Sequence, residues 1–304
     1  MSSVFPEYEE ALTYTVGPES VTWRKTSDLR GMFGSGTALL LQVAHPTVAG
    51  GVREHSDFVS DPWNRLYRTL DYVNMLVYSG PDGAINTGRQ MRAMHTRIKG
   101  VDPQGRRYHA LEPQAYAWVH ATLAYAIVET HNMFGVPFTS AETTQFYREW
   151  RGLGRLLGIR ERDLPETWSG FGDYMEAMID EVLENNDVVE LVHHTLASPA
   201  APPISWVGER TWGVLTKPVA RAMRLSTAGL LPESARAKLD LGLTPWEQRE
   251  LRGLGAVLRG ATPVLPKAVK NNGPAYLRWR RQAINGGPFK VPVGGAQQST
   301  PVAA

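Results

Sequence analysis

The stretch from Arg65 to Lys99 admits one local description: a helix, a break and a second helix. It opens with Arg65-Leu66-Tyr67-Arg68-Thr69-Leu70-Asp71-Tyr72 and closes with Met91-Arg92-Ala93-Met94-His95-Thr96-Arg97-Ile98-Lys99. Between them, Ser79-Gly80-Pro81-Asp82-Gly83 is a run that a helix interior does not tolerate. Ser60-Asp61-Pro62-Trp63 supplies the start of the first helix, a capping acid followed by proline at the first turn. Arg65, Arg68, Thr69, Tyr72 and Leu76 then share one face. The second helix is expected from about Asn86 to Lys99, with Met91, Met94, His95 and Ile98 aligned. Two guanidiniums and a hydroxyl on one helix, facing a lone imidazole among thioethers on the next, predict an enclosed pocket.

The rest of the chain repeats the helical pattern. Asp28 is placed to cap a helix that ends at His45-Pro46, because proline disfavours helical geometry at the residue before it. That leaves His45 at a helix junction, with Gly31, Gly34 and Gly36 marking close packing upstream. Glu112-Pro113 introduces a long helix, roughly 113–134, that carries His120 and His131 three turns apart. Further helices are expected after Ser140, over 171–185, and in segments near 206–224, 233–241, 244–259 and 274–284 that Pro232, Pro245, Pro263 and Pro266 separate. No strand-like alternation lasts, so the fold class is all-α, a single large irregular helical domain over 1–285. The glycine- and proline-rich stretch 286–304 reads as a disordered tail.

Composition removes several chemistries. With no cysteine among 304 residues there are no disulfides, thiolate haem ligands, Cys-based zinc sites or iron–sulfur clusters. A net charge of +2 gives no footprint for nucleic acid. Nothing approaches the ~20 apolar residues of a membrane span, and Met1–Thr15 lacks the basic start of a secretory signal, so the expected compartment is the cytoplasm. A di-iron carboxylate bundle requires two Glu-x-x-His motifs, and only Glu190–His193 fits. His-Glu-x-x-His and Gly-x-Ser-x-Gly are both missing. His120 and His131 lie ~16 Å apart along their helix, too far to share an ion.

What remains is the imidazole. A histidine on an apolar helix face is most often a hydrogen-bonded core residue, but His95 has neighbours suited to a porphyrin. Met91, Met94 and Ile98 can pack against its face, and Arg65 and Arg68 can pair with propionates or polarise a bound oxygen.

The ordered motifs Leu39-Leu40-Leu41-Gln42-Val43-Ala44-His45-Pro46, Asp61-Pro62-Trp63-x-Arg65, Met94-His95-x-x-Ile98-x-Gly100 and Trp118-Val119-His120-Ala121-Thr122-Leu123 resemble those of the MpaB and rubber oxygenase (latex clearing protein) family. The likeness covers about residues 20–280. It implies a mostly helical fold binding haem b, with dioxygen and a hydrophobic, isoprenoid-like substrate as partners. A histidine in a Met-His segment is the proximal iron ligand of rubber oxygenases, which matches His95. Their distal Arg-x-x-Lys-Thr group matches Arg65 and Thr69, and departs at Arg68, where they have lysine. Arginine stays protonated and ligates iron poorly. In this reading Arg65 and Thr69 orient oxygen, His45 is a distal base, and Arg68, Met91 and Met94 line the cofactor. The alternative is a haem-binding carrier or sensor without turnover, with His45 on the iron face opposite His95.

Overall fold

Proline opens helix after helix: Pro46, Pro62, Pro81, Pro113 and Pro245 each stand in the first turn, where the missing N–H costs no hydrogen bond. The computed structural model describes residues 4–56, 61–197, 199 and 209–284. In chain order the helices are α1 (Tyr8–Thr13), α2 (Val21–Thr26), α3 (Ser35–Val43), α4 (Pro46–His55), α5 (Pro62–Tyr78) and α6 (Pro81–His95). A short antiparallel pair follows, β1 (Lys99–Val101) and β2 (Arg107–His109). The chain continues with α7 (Pro113–Phe134), α8 (Ser140–Leu156), α9 (Trp168–Glu181), α10 (Asp187–Ala197), α11 (Glu209–Leu230), α12 (Glu233–Lys238), α13 (Pro245–Gly260), α14 (Lys267–Lys270) and α15 (Asn272–Ile284). The fold is all-α apart from that pair of three-residue strands. Among the described residues no helix is long and apolar enough to cross a membrane.

The core is built around α7. Its Ala117, Trp118, Ala121 and Ala124 are buried against Leu40, Leu41 and Val43 of α3 and against Phe146, Trp150 and Leu153 of α8. Small alanines let the neighbouring backbones come close, and the two tryptophans fill the space they leave. Each indole N–H is satisfied by a carbonyl: Trp118 Nε1 donates to Leu41 O at 2.7 Å and Trp150 Nε1 to His120 O at 3.0 Å. The histidines of α7 belong to this core. His120 Nε2 donates to Trp150 O at 2.8 Å with its ring stacked on the Trp150 ring, and His131 Nε2 donates to Lys25 O at 2.8 Å.

Two expectations are corrected. The second helix of the Arg65–Lys99 stretch starts at Pro81, not near Asn86, and ends at His95, not Lys99. Gly80, at φ 80°, absorbs the whole chain reversal in a left-handed conformation that favours glycine, so Pro81 can open the helix at once. Ile98 therefore lies beyond the helix and does not share a face with Met91, Met94 and His95. The Gly100–Gly105 segment belongs to a hairpin: Asp102 Oδ1 accepts from the backbone N–H groups of Gln104 and Arg106, turning the chain between β1 and β2. The stretch expected as a disordered tail, 286–304, lies outside the described residues.

Gly88 fixes where α6 sits. A Cβ on it would lie 2.0 Å from the Leu156 carbonyl oxygen at the end of α8, so only glycine allows this approach. Gly88→Ala is expected to destabilise the protein by about 3 kcal/mol, read from urea denaturation. Burial also pushes the His120 imidazole down to about 4 from its ordinary 6.5. The unfolded chain then takes up a proton between those values that the folded one does not. Unfolding free energy should accordingly fall by ~3 kcal/mol from this residue as pH drops from 6.5 to 4. In His120→Asn that slope should be correspondingly shallower.

Candidate active site

α5 and α6 lie side by side, and their contact carries most of the chemistry singled out above. α5 is backed by α15, where Tyr276 Oη donates to Asp71 Oδ1 at 2.8 Å and Trp279 packs on Tyr67. That backing turns Arg65 and Tyr72 toward α6. At the contact, Met94 Sδ lies 3.9 Å from Arg68 Nη2 and 3.7 Å from Tyr72 Oη. Arg65 Nη1 donates to Ser56 Oγ at 2.7 Å, tying the first turn of α5 to the end of α4.

His95 is the last residue of α6 and is half-buried. Its Nδ1 stands 2.7 Å from the Met91 carbonyl oxygen, one turn back. A carbonyl can only accept, so Nδ1 carries the hydrogen. Burial lowers the pKa of the ring, the Met91 bond opposes that shift, and the positive charge of Arg65 adds to the lowering. The imidazole is neutral at pH 7, and its lone pair sits on Nε2. This is the protonation state and tautomer a metal requires, and a carbonyl on the far nitrogen is the usual partner that holds it.

Tyr116, in the first turns of α7, meets the His95 ring edge-on with centroids 5.6 Å apart. Its hydroxyl is buried and makes no hydrogen bond among the described residues. Burial pushes this phenol up to about 12. A buried donor without an acceptor costs about 1–3 kcal/mol, so the Tyr116 hydroxyl is open to a partner. Sequence reading missed it, because it sits among small residues of a core helix and its nearness to His95 is tertiary. Arg92 lies over the other part of the same ring, at 5.8 Å from the centroid.

The structure gathers Arg65, Arg68, Met91, Met94 and His95 on α5 and α6. Thr69 is on the same helix as Arg65 but exposed, and its hydroxyl donates to the Arg65 carbonyl at 3.1 Å. His45 is elsewhere. It caps α4, its Nδ1 accepting from Thr47 N at 3.2 Å, and its buried Nε2 makes no hydrogen bond among the described residues. Burial lowers its pKa, while Glu112, the Gln114 amide and Glu184 oppose the shift. Gln114 and Tyr116 are two residues apart on α7, about 200° around its axis, so they serve His45 and His95 from different sides.

Among the described residues no three His, Asp or Glu side chains converge on a metal position. Neither of the two best-formed cavities among the described residues includes His95. One, of 470 Å³, runs from Thr13 to Arg160, and one of 120 Å³ lies at His193 and Arg224. Arg65→Met should raise the His95 pKa toward its ordinary value, because a positive charge that opposes protonation is removed. An NMR titration of the His95 ring protons reads the shift, and an unchanged or lower midpoint would count against the pairing.

The family model described as "ER-bound oxygenase mpaB/B′/Rubber oxygenase, catalytic domain" matches residues 23–260. The match contains α3 to α13 and every candidate residue discussed above. No curated protein and no solved structure matches the chain.

Proposed function

We propose, on the premise that the chain belongs to the MpaB and rubber oxygenase catalytic-domain family, that it is a haem-b-dependent oxygenase whose α5–α6 site activates dioxygen against a hydrophobic, isoprenoid-like substrate. Members of the family are oxygenases, and the chain is an oxidoreductase of that class. The observation that carries the haem reading is the Met91 carbonyl on His95 Nδ1, which leaves a neutral Nε2 lone pair free for iron. A haem centre requires only one protein ligand, so it needs no cluster of three His, Asp or Glu side chains, and none is found among the described residues.

Bound there, haem b supplies an iron that holds and activates dioxygen. The chain's own residues do the rest. His95 is the ligand, and Met91 and Met94 give the apolar wall that keeps water from the reacting face. Arg65 is a fixed positive charge that stabilises negative charge developing on oxygen. Tyr116 offers its unpartnered hydroxyl as a donor at a fixed position. Arg68 keeps its proton and so acts as a counter-charge to a propionate rather than as an iron ligand. Thr69 joins the oxygen side once its hydroxyl leaves the Arg65 carbonyl. Haem held on His95 would lie beside Arg68, Tyr72 and Met94, which would yield to it because they meet through the flexible ends of side chains on a soft thioether. The reading rests nothing on His45.

Absorption spectroscopy of the protein reconstituted with haem tests this. Wild type and His55→Ala, which alters an exposed histidine, should show the same Soret band. His95→Ala and His95→Gln should hold at least tenfold less haem while keeping the wild-type circular dichroism. Full haem retention in both His95 variants would discard the assignment. Oxygen consumption on adding an isoprenoid alkene then separates an oxygenase from a carrier, and Arg65→Met should lower that rate by about 100-fold without loss of haem.

A further inference from the structure

The 470 Å³ cavity is a groove between α8 and the segment around Thr13–Val16, closed at one end by Ile159 and Leu164. Three arginines of α8 enter it: Arg148, Arg151 and Arg155, spaced i, i+3 and i+7 on one face of the helix. Among the described residues none has a carboxylate partner. There Arg151 donates only to the Glu161 and Glu166 carbonyls, both at 3.4 Å, and Arg155 Nη1 to the Ile159 carbonyl at 2.8 Å. The Arg155 guanidinium also meets the Tyr14 hydroxyl, and its buried Nε makes no hydrogen bond among the described residues. Arg148 is exposed and makes no hydrogen bond or ion pair among the described residues.

Two acids, Glu149 and Glu161, share the lining of the groove. Glu149 accepts from Thr22 N at 2.8 Å, Val21 N at 3.3 Å and Gln145 Nε2 at 2.8 Å, so its carboxylate caps α2. Asp163 is taken by Arg160, with Arg160 Nη2 at 2.8 Å. The hydroxyls of Thr13 and Thr15 donate to carbonyls of their own turn. The donors the groove leaves open are thus guanidinium N–H groups on one face of α8.

We infer that this groove binds a small molecule carrying a phosphate or diphosphate group, with the anion on Arg148, Arg151 and Arg155. Guanidinium forks match the oxygens of phosphate in paired hydrogen bonds, and the three arginines outnumber the two carboxylates, Glu149 and Glu161, that share the lining. The apolar end, at Ile159 and Leu164, takes the organic part of such a molecule. The volume is that of a small-ligand site. The site is separate from the α5–α6 chemistry and stands or falls without it.

Isothermal titration calorimetry of the full chain with inorganic pyrophosphate, in 0.15 M sodium chloride at pH 7.5, tests the assignment. Saturable binding at one site per chain with a submillimolar Kd is expected. Arg148→Ser removes a side chain that supports nothing else in the fold, so it should weaken binding at least tenfold with unchanged circular dichroism. Arg249→Ser, on the exposed face of α13, should bind as wild type does. No saturable binding, several weak sites, or a loss below tenfold in Arg148→Ser would overturn the site. Succinate binding as tightly as pyrophosphate would overturn the phosphate class.

Discussion

A single hydrogen bond determines what His95 is chemically. The Met91 carbonyl, 2.7 Å from Nδ1, forces the proton onto that nitrogen and orients the ring at the end of α6. Burial then keeps the ring neutral. Either effect alone would be insufficient: an imidazole with its proton on Nε2 has no lone pair to offer outward, and a protonated one has none at all. The bond is local to α6: a side chain reaches back to the carbonyl four residues earlier, one helical turn away.

The position of that helix end is set from both directions. Gly80 and Pro81 fix where α6 begins, and the close approach of Gly88 to Leu156 holds its middle against α8. α8 is in turn locked to α7 by the reciprocal Trp150–His120 hydrogen bonds and ring stacking. The chain of constraint runs from the aromatic core outward to the functional helix. On the far side the contact changes character: α5 meets Met94 through the ends of Arg68 and Tyr72. A rigid wall under the imidazole and an adjustable one facing it suits a site that admits a large flat group.

Much of this was legible in the sequence, for reasons that are local. Proline at a first turn and a capping residue before it are read directly, and α5, α7 and α13 begin where Pro62, Pro113 and Pro245 say. The clustering of Arg65, Arg68, Met91, Met94 and His95 followed from helical spacing plus a tight break. The errors were local too. Gly83 looked like part of the break, whereas Gly80 alone makes the turn, and strands of three residues are too short to show alternation. Tyr116 and the three arginines of α8 could not be found that way. Their significance lies in what they lack among the described residues, an acceptor for a buried hydroxyl and ion pairs for three guanidiniums, and a missing partner is visible only when the whole neighbourhood is folded.

The most direct measurement is rescue of a vacated ligand position. His95→Gly, purified with haem and titrated with imidazole, should bind little haem alone and regain a wild-type Soret band as imidazole fills the space left by the ring. Full haem binding by His95→Gly without imidazole, or no gain when it is added to folded protein, would contradict the assignment of His95 as the iron's protein ligand.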